Sequence, residues 1–420
     1  MVNKKLPFTK KQIEKIIREY PTPFYIYDEK GIRKNIRKLS KVFSWVPNGF
    51  RNYFALKACP NPYILNIVRE EGSGVDCSSL TELIIAEKIG IRGENIMFTS
   101  NDTPDEEFKK AYELGAIINL DDITHIAFLE RVVGIPETIC FRYNPGPIIG
   151  GNEIIGKPEE SKYGLTKEQI FEAYKIMKQK GVKTFGLHTM VVSNMLDENY
   201  LIKTAEMLFG LAAELSRKLD IKFDFINLGG GIGIPYKPSQ DPVDLEFFGE
   251  RVRKAYEEII IPNNLKPKIY MECGRLITGP YGWLVTRVLH VTKKYRDYVG
   301  LDACMANLMR PAIYGAYHHI TVLGKENLPS TDVYDVTGRL CENNDKFAIQ
   351  RKLPKVEEGD ILVIHDAGAH GHAMGSNYNG KLRSAELLKP ILKSDGSIKK
   401  IRRAETPEDY LKTLDFSEFG

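Results

Sequence analysis

A chain of 420 residues is too long for one ordinary domain unless that domain is a large barrel, and two domains are expected. With 43% hydrophobic and 27% charged residues it reads as a soluble globular protein with a full core. The net charge of +4 is spread along the chain, so no basic stripe calls for nucleic acid.

The six cysteines (Cys59, Cys77, Cys140, Cys273, Cys304 and Cys341) form no CxxC pair, which points to neither zinc nor a disulfide framework. The opening Met1-Val2-Asn3-Lys4-Lys5 leads to Pro7 without an apolar core, and there is no run of about 18 apolar residues. Neither a signal peptide nor a membrane span is expected, and a reducing cytoplasm fits.

In chain order, residues 8–20 have the period of an amphipathic helix, with Thr9 as N-cap. Residues 22–27 read as a strand and 28–43 as a helix. Eight short apolar strands then alternate with helical segments: YFALKA (53–58), GVDCSS (74–79), IMFTS (96–100), AIINLDD (116–122), ICFRYN (139–144), FGLHTMV (185–191), FINLGGG (225–231) and IYMECGR (269–275). This predicts a (β/α)8 TIM-like barrel over about residues 30–280, with a doubly wound open sheet as the alternative. Beyond it, TRVLHVTKKY, DYVGLDA, HHITVLG, TDVYDVTG, DILVIHDAG and IKKIRRAE are strands without long helices. They predict an all-β domain over 281–420, joined by the N-terminal strand within 1–29. Pro145 to Lys157 is glycine-rich and is expected to be a mobile loop.

A barrel places functional groups at the C-terminal ends of its strands. There stand Lys57, Asp76, Arg142, Asn144, His188, Gly229-Gly230-Gly231 and Glu272-Cys273-Gly274-Arg275. A lysine at the end of a buried strand serves either a structural ion pair or covalent chemistry. The three glycines allow backbone N–H groups to approach an anion, or simply make a tight turn. Glu272 and Arg275 pair with each other or bind a ligand with a basic nitrogen and an anion. Arg310, four residues before Tyr314, reads a carboxylate or sits in a surface ion pair. Cys341-Glu342-Asn343-Asn344-Asp345 is a polar cluster or an Asx-type loop beside an inert thiol. His370 and His372 lack a third ligand at metal-site spacing, so no metal is expected. Together, a lysine, a glycine nest for phosphate and a carboxylate for a ring nitrogen form the set that pyridoxal phosphate requires.

Ten motifs in order carry a resemblance from about Pro21 to Arg403: FALKACPNP, GVDCSS, RYNPG, ESKYGL, GLH, NLGGGIG, ECGR, MRPAIYGAYH, CENND and DAGAHGHAMGSNYN. In these the chain resembles the fold-type III pyridoxal-phosphate decarboxylases, most closely the diaminopimelate decarboxylases. The resemblance implies an alanine-racemase-like barrel with a β-domain, and a homodimer with shared active sites. It implies that Lys57 carries the cofactor, with Asp76 near it and Glu272 on the pyridine nitrogen. Gly229, Gly230, Gly231 and Ser193 become phosphate contacts, and His188, Met190, Gly274, His370 and Tyr378 further cofactor neighbours. Arg275, Arg310 and Tyr314 hold the substrate's far carboxylate, and Cys341 and Glu342 face the reacting carbon from the partner subunit. The expected reaction is meso-diaminopimelate to L-lysine and CO2. The alternatives are ornithine, lysine, a carboxylated polyamine or a secondary-metabolite amino acid as substrate, or a non-catalytic cofactor-binding homologue. Departures from the family pattern fall around the cofactor: Met190 replaces a histidine, Val192 a glycine and His370 a tyrosine, and CENND replaces CESGD.

Overall fold

The structure is a computed structural model that describes residues 4–148, 150, 156–390 and 397–419, with Ile148 described only in its backbone. The expected loop 145–157 lies in good part outside them. The chain divides into two compact units. One comprises Arg33–Ile234 and Pro242–Ile277; the other comprises the N-terminal residues to Ile32, Pro235–Asp241 and the chain from Thr278.

The N-terminal helix α1 (Lys10–Glu19) starts at Thr9, whose Oγ1 accepts the Gln12 N–H while the Gln12 side chain returns a bond to the Thr9 N–H. This capping box satisfies two of the donors left open at a helix start. Strand β1 (Phe24–Asp28) and helix α2 (Glu29–Val42) follow.

The first unit is a closed parallel barrel of β2 (Phe50–Ala55), β3 (Gly74–Cys77), β4 (Ile96–Phe98), β5 (Ile117–Leu120), β6 (Thr138–Tyr143), β7 (Thr184–Thr189), β8 (Phe223–Asn227) and β9 (Lys268–Met271). An open sheet would leave β2 and β9 as edges. Instead Phe50, Arg51 and Asn52 pair with Ile269, Tyr270 and Met271, which closes the ring. The strands are near-continuous apolar runs because both faces are covered, as parallel sheets require. Tyr53, Met97, Ile117, Cys140, Phe225 and Tyr270 fill the interior, with Phe225 stacked on Tyr270 at 4.6 Å between centroids. Each sequence-derived barrel strand is present, but every one stops one to four residues earlier than the sequence suggests. Lys57, Asn144, the three glycines and Glu272–Arg275 lie beyond those ends, whereas Asp76, Arg142 and His188 remain in their strands.

The second unit contains a nine-stranded sheet. Its strands are β1, β10 (Gly282–Lys293), β11 (Asp297–Leu301), β12 (Ile320–Val322), β13 (Asp332–Thr337), β14 (Lys346–Leu353), β15 (Ile361–Ile364), β16 (Ala385–Lys389) and β17 (Lys399–Arg402). Strand β1 runs antiparallel to β10 and parallel to β16. The sequence reading omits β14 and β16. The first has three charged residues among its eight, and the second carries Glu386 at its second position and ends on Lys389. Glu386 is buried because Tyr27 donates to it at 2.7 Å and Arg402 pairs with it.

Candidate active site

The site is built where β2 and β9 meet. The Asn52 amide donates to the Cys273 carbonyl (3.1 Å) and accepts the Cys273 N–H (2.8 Å). This reciprocal pair fixes the loop after β9 against the end of β2. Gly274 completes the contact: a Cβ there would stand 2.7 Å from the Ala58 Cβ. Two residues past the end of β2, Lys57 sits in a 3-10 turn, Leu56–Ala58. Asn61 then caps helix α3 (Pro62–Glu70) by accepting the Tyr63 N–H at 3.0 Å. The expected lysine at a buried strand end is therefore corrected. Lys57 has left the strand and is exposed, so its ammonium keeps its hydration.

Glu272 is the centre of a buried network. Asn227 donates to its Oε1 at 2.7 Å, and His188 Nε2 lies 3.1 Å from its Oε2. Asn119 donates to Thr99 Oγ1 (2.9 Å) and to His188 Nδ1 (2.8 Å), so the imidazole proton falls on Nε2, facing Glu272. Burial alone would raise the Glu272 pKa. The interaction with His188, followed by the Lys57 charge and the Asn227 hydrogen bond, outweighs it and holds the carboxyl below its ordinary value. Asp76 shows the opposite balance. Burial, reinforced by the Glu272 charge, raises its pKa well above the ordinary carboxylate range, and Lys57 only partly opposes this. Among the described residues its Oδ1 has no hydrogen-bond partner. Burial also raises Glu82, although Ser78 N–H donates to its Oε2 at 2.7 Å.

The glycine loop after β8 is set by the same Asn227, whose Oδ1 accepts the Gly229 N–H at 2.9 Å. Glu272 N–H in turn donates to the Gly229 carbonyl at 2.8 Å. Gly231 has φ +90°, and any Cβ at Gly230 would lie 2.6 Å from the Glu272 carbonyl oxygen, so side chains are excluded here. Met190 Sδ accepts the Gly230 N–H at 3.4 Å. Among the described residues the Gly231 N–H has no acceptor. Arg275 donates to Ser193 Oγ at 3.3 Å. The alternative Glu272–Arg275 ion pair is absent among the described residues.

Arg142 pairs with the buried Asp121 and lies 4.5 Å over the Tyr163 ring, and Asn144 donates to the Pro158 carbonyl at 2.8 Å. These two strand-end groups are engaged in holding loops.

In the second unit, Arg310 opens the short helix at Arg310–Tyr314 and is only 3% exposed, which corrects the surface ion-pair alternative. Its Nη1 donates to His318 Nε2 (2.9 Å), His318 Nδ1 donates to the His365 carbonyl (2.8 Å), and the guanidinium lies 4.6 Å over the Tyr236 ring. Tyr314, at the far end of that helix, is 45% exposed. Cys341 and Glu342 are exposed as well, so the inert buried thiol of the alternative reading does not hold. Asn379 accepts the Cys341 N–H at 2.9 Å, which places the 341 loop beside Tyr378, itself 55% exposed. His370 occupies a turn at φ +54°, a backbone state its replaced tyrosine would also find strained.

Sequence reasoning nominated neither Asn52, Asn119 nor Asn227. Each is a buried amide inside a strand, and that placement is itself a signal, because buried amides demand partners.

A barrel mouth holding an amine, an ionised buried carboxylate and a glycine loop defines a pyridoxal-phosphate enzyme. The chain belongs to the pyridoxal-dependent decarboxylases: residues 29–279 match the family's pyridoxal binding domain. It is 42% identical over 398 residues to Protein TabA of Pseudomonas amygdali pv. tabaci, covering 95% of this chain and 92% of that one. It is 35% identical over 396 residues to the diaminopimelate decarboxylase of Methanothermobacter thermautotrophicus, covering 94% and 92%. The crystal structure of the M. jannaschii diaminopimelate decarboxylase matches with TM-score 0.87 at 27% identity, over 96% and 94% of the two chains. That of the Helicobacter pylori enzyme complexed with L-lysine matches with TM-score 0.83 at 28%, over 95% and 98%. The chain is thus a fold-type III carboxy-lyase, close to diaminopimelate decarboxylase, with pyridoxal 5'-phosphate as cofactor. Its residues fit that cofactor. The Asp76 Oδ1 is buried with no hydrogen-bond partner among the described residues, the half-buried Gly231 N–H has no acceptor among them, and the lowered pKa of Glu272 would suit a protonated ring nitrogen.

Proposed function

We propose that this chain decarboxylates meso-diaminopimelate to L-lysine and CO2. The observation that carries the chemistry is Glu272, a buried carboxylate held ionised between His188 and Asn227. The substrate assignment is supported by relatives of that name that match over more than nine-tenths of both chains.

Bound pyridoxal phosphate supplies an electron sink for the pair left behind when CO2 departs. Lys57 holds it through Nζ. Glu272 keeps its ring nitrogen protonated, and His188 positions Glu272. Asp76 lies near Lys57, with its carboxyl biased toward the neutral form. The Gly231 N–H and the Ser193 hydroxyl would receive the phosphate, on a loop that Gly229 and Gly230 shape while Asn227 and Met190 take their own N–H groups. Met190, Gly274, His370 and Tyr378 complete the surroundings. Arg275, Arg310 and Tyr314 bind the carboxylate of the substrate's far end. Arg310 is suited to this because His318 and Tyr236 fix its plane. Cys341 delivers the proton that replaces CO2 on the α-carbon, assisted by Glu342. Both are exposed on their own unit, which suits a homodimer in which they serve the site of a second copy.

A second reading is favoured by Met190 and His370 and by the identity to Protein TabA: decarboxylation of a related amino acid. A CO2-release screen over meso-diaminopimelate, ornithine, lysine and a carboxylated polyamine separates the two. Turnover of meso-diaminopimelate with lysine as product supports the first reading. Turnover confined to another amino acid overturns it.

A further inference from the structure

The sheet-containing unit holds a cavity of about 1000 Å3 between the N-terminal arm, the β12 strand and the end of β14. That volume suits a small-molecule ligand, typically a few hundred to about 1000 Å3. Its lining is one-sided in charge. Lys4, Lys5, Lys10, Lys325, Arg351 and Lys352 all face it, against the single acid Glu326. Two of the cations are neutralised: Lys4 by Asp366 at 2.6 Å and Lys325 by Asp360 at 2.7 Å. Glu326 is occupied, accepting the Gly324 N–H at 2.9 Å.

The other four have no carboxylate partner among the described residues. Arg351 is the informative one. It is half-buried, lies 4.0 Å over the Tyr317 ring and donates to the His318 carbonyl at 2.9 Å. A guanidinium withdrawn from water without a counter-charge is costly, and burial lowers its pKa accordingly. Beside it, the His319 Nδ1 is buried without a hydrogen-bond partner among the described residues. Lys10 lays its stem over the Gly324 turn, with Nζ 3.5 Å from where a Cβ would stand. Thr9, which also lines the cavity, caps the ten-residue helix α1, so a helix N-terminus adds its positive end. Leu6, Phe8, Val322 and Leu353 give the same cavity an apolar part.

We infer that this cavity is a binding site for a small organic anion carrying phosphate or carboxylate groups, with its cationic groups on the cavity wall and its carbon skeleton against the apolar part. The ligand supplies the counter-charge that Arg351, Lys10, Lys5 and Lys352 lack. None of the residues assigned to the cofactor lines it.

The test is calorimetric titration of the purified holoenzyme with pyrophosphate and with citrate, at constant ionic strength. The expected result is one saturable site per chain, tighter for pyrophosphate if the natural group is a phosphate and for citrate if it is a carboxylate. Arg351→Gln weakens the preferred anion. Lys10→Gln with Lys352→Gln, both exposed positions that spare the fold, weakens it about ten-fold through loss of two charge-assisted contacts. The visible absorbance of the bound cofactor is unchanged in both variants. Absence of binding by either anion overturns the inference. So does equal affinity in wild type and the double lysine variant.

Discussion

Asn227 donates to Glu272 Oε1 at 2.7 Å and, with its own Oδ1, accepts the Gly229 N–H at 2.9 Å. One amide at the end of β8 thus sets both the carboxylate assigned to the ring nitrogen and the loop assigned to the phosphate. Asn227→Leu removes both bonds and leaves a buried carboxylate short of a donor, at a cost of about 1–3 kcal/mol. Cofactor affinity is expected to fall with it, measured by titrating the cofactor-free protein. Wild-type affinity in this variant would remove Asn227 from the site.

Asp76 and Glu272 respond to pH with opposite signs. The folded pKa of Glu272 is lowered, so its contribution to stability is present above the ordinary carboxylate pKa and is lost as pH falls through the folded value. The folded pKa of Asp76 is raised, so the folded chain holds a proton that the unfolded chain releases. Stability therefore declines as pH rises from the ordinary value, about 3.9, toward the folded one. Asp76→Asn is expected to raise the melting temperature of the cofactor-free protein at neutral pH, with the gain shrinking as pH approaches 4. A destabilised variant at neutral pH would contradict the unpartnered carboxyl.

Met190 supplies a sulfur acceptor to the Gly230 N–H. A thioether is a weak acceptor, and leucine nearly conserves its volume, so Met190→Leu is expected to cost under about 1.5 kcal/mol and to keep the cofactor bound. Thermal melting and cofactor absorbance check this. Complete loss of cofactor would show that the sulfur contact is indispensable.

Cys341 is the one exposed cysteine of the six; the other five are buried. A thiol reagent is expected to modify one cysteine rapidly in the native protein and to abolish turnover in step. Cys341→Ala should bind cofactor, lack the fast-reacting thiol and lose turnover. Unchanged turnover in that variant would exclude Cys341 from proton delivery.

The barrel was legible in the sequence because most of its strands are largely apolar runs buried on both faces, and such runs have few alternatives. Helix α1 was legible through the Thr9–Gln12 cap. The ends of the strands were not, because apolar residues such as Leu56 continue past the last ladder bond into buried turns. Strand β16 was missed because Glu386 breaks its pattern, and only the fold brings Tyr27 and Arg402 to it. In the site, Lys57, Glu272 and the glycines stood out as residue types. The amides that hold them did not, because an isolated asparagine gives no sign of its partners: Asn119 meets His188 across 69 residues of chain. The Met190 sulfur bond to Gly230 joins two loops and follows from no local pattern.

The most direct test is incubation of the purified holoenzyme with meso-diaminopimelate, following lysine and CO2 together. Equimolar lysine and CO2, both abolished in Lys57→Ala along with the visible band of the bound cofactor, is the expected result. No lysine from meso-diaminopimelate, while another amino acid in the same assay loses CO2, would contradict the proposed substrate.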